Sequence, residues 1–164
     1  MTIRELNLLD KPAFIDALGW IFEGSPWVVD RSFGLKPFRD LDALSSAMTV
    51  AVAQATRDEQ LALLRAHPDL GGRARMSEAS VGEQAGVGLD RLTPVEFDEL
   101  QRLNTAYRQR FGFPFILAVK GSTKGQVLEA LGERLTRDAA EEFAEALGQA
   151  GRIARSRLQE LLGG

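Results

Sequence analysis

The stretch TPVEFDELQRLNTAYRQRF, Thr93 to Phe111, runs directly into GFPFILAV, Gly112 to Val119, and the contrast between the two decides the fold. Thr93 suits a helix N-cap and Pro94 the first helical position, where a missing N–H costs nothing. Phe97, Leu100, Leu103, Tyr107 and Phe111 then recur at helical spacing. Asn104 falls inside that apolar stripe, a polar group at an inward position that must find a partner. Phe115-Ile116-Leu117-Ala118-Val119 has the propensity of a buried strand. No other stretch of the chain is an obvious strand to pair with it. The expectation is therefore an all-α protein with one extended segment near 113–119. The N–H and C=O groups of that segment must be satisfied by side chains, water or a ligand.

Upstream, Asp10 reads as an N-cap with Pro12 in the first turn, and Phe14, Leu18 and Phe22 form one helical stripe until Gly24-Ser25-Pro26 breaks it. A short helix opens at Trp27 and stops near Gly34 and Pro37. A third starts at Asp40 or Asp42, with Leu44, Met48, Val52 and Ala55 on one face. A fourth starts between Thr56 and Asp58, with Leu61 and Leu64 inward. His67 lies three residues after Leu64, so it leaves the end of this helix on the buried face, and Pro68 stops the helix there. Gly71-Gly72-Arg73-Ala74-Arg75 reads as a loop. Ser80 with Glu83 matches a capping box ahead of a short helix. Downstream, Thr123 begins a helix with Val127, Leu128, Leu131 and Leu135 inward. A long final helix starts near Thr136, with Phe143, Leu147, Ala150, Ala154, Leu158 and Leu161 as its stripe. Its small residues, such as Ala144, Gly148 and Gly151, permit close packing against another helix. The expectation is seven or eight helices in a single compact domain, residues 1–164.

Composition narrows the function. At 45% hydrophobic and 26% charged residues, the chain is ordinary for a globular protein. A formal charge of −3 argues against nucleic-acid binding, which needs a strong basic patch. No apolar run approaches membrane-spanning length, and the first residues do not form a signal peptide. The absence of cysteine excludes disulfides and fits a reducing compartment, so the cytoplasm is expected. With one histidine and no cysteine, no conventional metal site is expected, and an all-carboxylate magnesium site is the alternative left open.

Imidazole is the side chain that titrates near neutrality, so His67, the single histidine, is the first candidate for acid–base chemistry. Each residue taken alone has a plainer reading. His67 could be a cation stabilised at a helix C-terminus. Glu83 could be the capping partner of Ser80, Gln84 a solvated helix residue, and Asn104 a structural hydrogen-bond bridge. Phe111, Phe113 and Phe115 read as core or an aromatic wall. Arg73 and Arg75 read as solvated charges able to steer an anion.

Taken together, three ordered segments shift the balance: His67-Pro68-Asp69-Leu70; Ser80-x-x-Glu83-Gln84 followed by Ala85-Gly86; and Leu103-Asn104-x-x-Tyr107-x-x-x-Phe111-Gly112-Phe113-Pro114-Phe115. With Phe22-Glu23-x-Ser25-Pro26-Trp27-Val28 before them, and Glu133-Arg134-Leu135 and Ile153-Ala154-x-x-Arg157-Leu158 after, the chain resembles the OHCU decarboxylases. Their substrate is 2-oxo-4-hydroxy-4-carboxy-5-ureidoimidazoline, a late intermediate of urate breakdown. A small departure is Lys36-Pro37-Phe38, where members often carry Arg-Pro-Phe. The resemblance implies an all-helical, homodimeric, cofactor-free carboxy-lyase that makes (S)-allantoin. It implies that His67 is the catalytic histidine. It also implies substrate contacts at Pro68, at Ser80, Val81, Gly82, Glu83 and Gln84, and at Phe115, Ile116, Leu117, Ala118 and Val119, the last run largely through main chain. On this reading His67 is the general acid. Glu83 either orients or ionises His67 or accepts hydrogen bonds from the ureido group. Two other readings are another small acid–base enzyme acting on a ureido or imide compound, and a non-catalytic helical dimerisation module.

Overall fold

The computed structural model describes residues 1–72 and 77–163. Arg73 and Arg75 lie outside the described residues. The expected helical class is observed: nine α-helices and no strand among the described residues. The chain divides into two units, one formed by Met1–Ala66 with the chain from Gly151 onward, the other by His67–Ala150.

The first unit holds α1 (Ile3–Leu8), α2 (Lys11–Leu18), α3 (Trp27–Ser32) with a 3₁₀ turn at Phe33–Leu35, α4 (Leu41–Ala53) and α5 (Arg57–Arg65). Helix α1 was not expected from the sequence. Its signal is a capping box: Thr2 Oγ1 accepts from Glu5 N–H at 3.2 Å, and Glu5 Oε2 accepts from Thr2 N–H at 2.7 Å. Asn7 then ties α1 to the start of α4, its amide exchanging two 2.8 Å bonds with the main chain of Phe38. Helix α2 is shorter than the Phe14–Leu18–Phe22 stripe suggests. It closes at Gly19, and Phe22 reaches the core from a turn. Asp40, not Asp42, caps α4, and Ala55 falls beyond its end. Thr56 and Glu59 close a second capping box on α5, whose buried residues are Leu63 and Leu64. Leu61, expected inward beside Leu64, is only half-buried.

The second unit holds α6 (Glu78–Gly86), α7 (Pro94–Phe111), α8 (Lys124–Arg134) and the first part of α9 (Ala139–Leu161), whose last part belongs to the first unit. Thr93 caps α7 with Glu96, an arrangement contributing about 1 kcal/mol, and Gly112 ends it at φ +81°. The α7 stripe buries Leu100, Leu103 and Tyr107. Tyr107 sits among Phe111, Phe113 and Phe115 at ring separations of 4.7, 5.9 and 5.4 Å, so these phenylalanines form an aromatic core.

Helix α6 corrects the sequence reading. The helix does not begin at Ser80. Its N-cap is Ser77, whose Oγ accepts from Ser80 N–H at 3.1 Å. Two serines three residues apart can both cap, and the earlier one adds three residues to the helix. Ser80 then lies inside the first turn, and Glu83, six residues after the cap, is not at the capping-box position.

Candidate active site

His67 follows Ala66, the C-cap of α5, and is 7% exposed. The chain then passes through Pro68 to Gly71, and three side chains of the second unit hold this turn. Arg108 Nε donates to Asp69 Oδ1 at 2.8 Å. Asn104 Nδ2 donates to Leu70 C=O at 3.0 Å. Gln84 Oε1 accepts from Gly71 N–H at 2.8 Å. Gly71 itself is required, since its φ is +65° and a Cβ there would lie 2.4 Å from Leu100 Cδ2. His67 thus precedes a turn held at three successive residues, Asp69 through its carboxylate and Leu70 and Gly71 through the main chain.

The run Ser80–Gln84 splits by helical register. Ser80 and Gln84, four residues apart, are buried; Glu83 is half-buried; Val81 and Gly82 are exposed. Gln84 Oε1 is engaged by Gly71 N–H, which orients the amide, and its Nε2 carries the donors. Read alone as a solvated helix residue, Gln84 is instead buried, because its register on α6 turns it inward to the Gly71 turn. Asn104, expected to bridge, does so.

Phe115–Val119, expected as extended main chain with strand propensity, lies in neither a helix nor a strand. Part of its main chain is fastened by side chains. Arg134 Nη1 donates to Ile116 C=O at 2.5 Å, and Gln149 Oε1 accepts from Ala118 N–H at 2.9 Å. Val119 C=O accepts from Ser122 N–H at 2.9 Å. Phe115, Ile116 and Val119 are buried, while Leu117 and Ala118 are partly exposed.

Behind this segment lies a buried polar group absent from the sequence reading. Glu142 is fully buried, and its Oε1 receives Arg134 Nε at 2.6 Å and the Tyr107 hydroxyl at 2.5 Å. Arg134 Nη2 also lies 2.5 Å from that oxygen but is not aligned as a hydrogen bond. Burial, reinforced by the adjacent carboxylate, pushes the Tyr107 phenol far above its usual range, so it stays protonated and donates. The available signal was register. Glu142 and Gln149 share the inward face of α9 with Phe143, Ala146 and Ala150, and Arg134 follows Leu131 by three residues. In the first unit, Arg157, 2% exposed, likewise pairs with Glu23 at 3.0 Å. Among the described residues no group of three His, Cys, Asp or Glu side chains could hold a metal ion.

The OHCU decarboxylase family model matches residues 7–159. A 2-oxo-4-hydroxy-4-carboxy-5-ureidoimidazoline decarboxylase of Halalkalicoccus jeotgali is 45% identical over 161 residues, covering 98% of this chain and 92% of that protein. One from Haloferax volcanii is 46% identical over 160 residues, covering 98% and 95%. A crystal structure of an (S)-allantoin synthase superposes with a TM-score of 0.79 at 33% identity. It covers 99% of this chain, which spans 54% of that protein's length.

Proposed function

The chain belongs to the OHCU decarboxylase family, and from that premise we propose that it decarboxylates 2-oxo-4-hydroxy-4-carboxy-5-ureidoimidazoline to (S)-allantoin in urate breakdown, without a cofactor. The observation that carries the reading is the end-to-end match to proteins named for that reaction.

The substrate supplies its own electron sink. The carboxylate leaves a ring carbon adjacent to a C=N bond. The electron pair of the breaking C–C bond moves toward that imine, and its nitrogen takes up a proton. The resulting enol is then protonated on the ureido-bearing carbon, and the hydroxyl proton is lost as the ring carbonyl forms. The protein must hold an anionic planar ring, stabilise charge as it develops, and deliver a proton to one face.

We assign that delivery to His67, and the hold on Asp69, Leu70 and Gly71 supports a fixed approach. Gln84 Nε2 is a donor suited to the ring or ureido oxygens. Pro68 and the Ser80–Glu83 turn would complete the wall on that side, with Glu83 serving either the imidazole or the ureido group. Main-chain groups of Phe115–Val119 would read the ring. A single donor facing a planar intermediate gives one enantiomer. The reading includes a cytoplasmic homodimer. Its support is the absence of cysteine and the small, outward Ala144 and Gly148 of α9, where close helix contact is possible.

The test is optical. Freshly generated substrate is followed by its absorbance decay while the circular dichroism of the product is recorded. Faster decay with a dichroic product is expected. Decay at the spontaneous rate, or a racemic product, refutes the reading. Light scattering on an eluting peak tests the dimer.

A further inference from the structure

Arg134 and Glu142 form an ion pair that is 6% and 0% exposed as residues. Such a pair is a poor means to stability, because desolvating both charges offsets most of their attraction and apolar residues of the same volume do as well. Its geometry points to another use. The guanidinium is held on two sides: Glu142 Oε1, itself bonded by the Tyr107 hydroxyl, takes Nε, and the Phe115 ring lies 4.5 Å from the guanidinium carbon. On another edge Nη1 reaches Ile116 C=O at 2.5 Å. A cation bonded to a peptide oxygen draws electron density through that peptide and makes its N–H a stronger donor. The N–H of that peptide belongs to Leu117. Among the described residues nothing accepts from it, whereas the next N–H, that of Ala118, is taken by Gln149 at 2.9 Å. The segment therefore offers one primed donor beside one that is blocked.

We propose that Arg134, locked by Glu142 and Tyr107, is a positioning residue for substrate binding: it fixes and polarises the Ile116–Leu117 peptide so that Leu117 N–H serves as donor to the anionic ring. Gln149 sets the register by removing Ala118 N–H from the binding face. The inference rests on the reading above that Phe115–Val119 contacts the substrate.

The test compares the wild type with the double variant Arg134→Met/Glu142→Met, which removes both charges together and so avoids stranding one. Melting temperature, kcat and KM for the ureidoimidazoline, and calorimetric affinity for (S)-allantoin are measured. The expected result is a folded double variant whose KM and allantoin Kd rise roughly tenfold while kcat falls less than about threefold. Arg134→Lys, which keeps the charge and one donor, should recover part of that loss. It should also keep the Leu117 amide proton resonance nearer its wild-type position than the double variant does. A folded double variant within about twofold of wild type in KM and Kd overturns the proposal. Should the double variant not fold, Arg134→Lys decides: unchanged KM and an unshifted Leu117 amide overturn it, and a raised KM with a shifted amide supports it. A wild type without turnover overturns the proposed function instead, so the two failures are distinguishable.

Discussion

Asn104 and Tyr107 stand one turn apart on the buried face of α7, and each spends its polar group on a different part of the second unit. Asn104 Nδ2 holds Leu70 C=O at 3.0 Å, and the Tyr107 hydroxyl holds Glu142 at 2.5 Å. One face of one helix therefore fastens both the turn that follows His67 and the carboxylate that locks Arg134 against the extended segment. Residues three apart on a helix are neighbours in space, so a shift of α7 would disturb both attachments together.

His67→Asn keeps a polar, hydrogen-bonding side chain of smaller size at a buried position and removes the proton donor. The melting temperature should change by only a few degrees, while the rate enhancement over the spontaneous reaction and the dichroism of the product are both lost. Wild-type turnover by this variant would rule out His67 as the acid.

Asn104→Leu leaves the buried Leu70 carbonyl without its donor. The expected cost is about 1–3 kcal/mol in urea unfolding, the desolvation penalty of an unmatched acceptor. Activity in the folded variant should fall further than that of a surface control such as Thr105→Ala. Equal activities would show that the Leu70 bond does not bear on His67.

Gly71→Ala meets two obstacles, the φ of +65° and a Cβ 2.4 Å from Leu100 Cδ2. Leu100 is fully buried, so its side chain cannot turn out into solvent to make room. The variant should lose about 1–3 kcal/mol of stability by denaturant titration. A change under about 0.5 kcal/mol would mean that the turn relaxes freely.

Glu59 gives a pH-dependent term. Its hydrogen bond with Arg31, and then the Thr56 N–H, lower its carboxyl from the ordinary 4.5 to about 2. Because the folded value lies below the unfolded one, the stabilisation is complete above about pH 4.5 and disappears as pH falls through about 2. Glu59→Gln retains an acceptor for Thr56 but loses the charge. It should melt below wild type at pH 7, with the gap narrowing steadily under pH 4. A gap constant with pH would show that the pairing with Arg31 contributes nothing.

Most of the architecture was legible because it is written in local signals. Thr56, Thr93 and Thr123 announce their helices with a cap and a glutamate or glutamine three residues on. The absence of a partner strand marked Phe115–Val119 as extended main chain to be satisfied by other means. Helix α1 was missed although Thr2 and Glu5 carry the same signal, because too few apolar residues follow to show a period. Ser80 and Ser77, three residues apart, have the same capping chemistry, and local pattern cannot rank them. The order of the His67, Glu83 and Phe115 segments singles out the candidate site. Its support did not show in the sequence. Arg108 with Asp69, Arg134 with Glu142, and Gln149 with Ala118 join residues far apart in the chain, and a lone arginine or glutamate reads as surface until its partner is placed beside it.

The bonds that Arg134 and Gln149 make to Ile116 C=O and Ala118 N–H bear on how such a protein can drift. In a sheet, each peptide of a strand is secured by its neighbours, and no single replacement elsewhere redirects it. Here two of the five residues from 115 to 119 are moored by individual side chains on helices. Substitutions within the run that preserve volume should therefore be nearly silent. A single exchange at position 134 or 149, remote in sequence, could re-aim the peptide groups and open a path to a different ring.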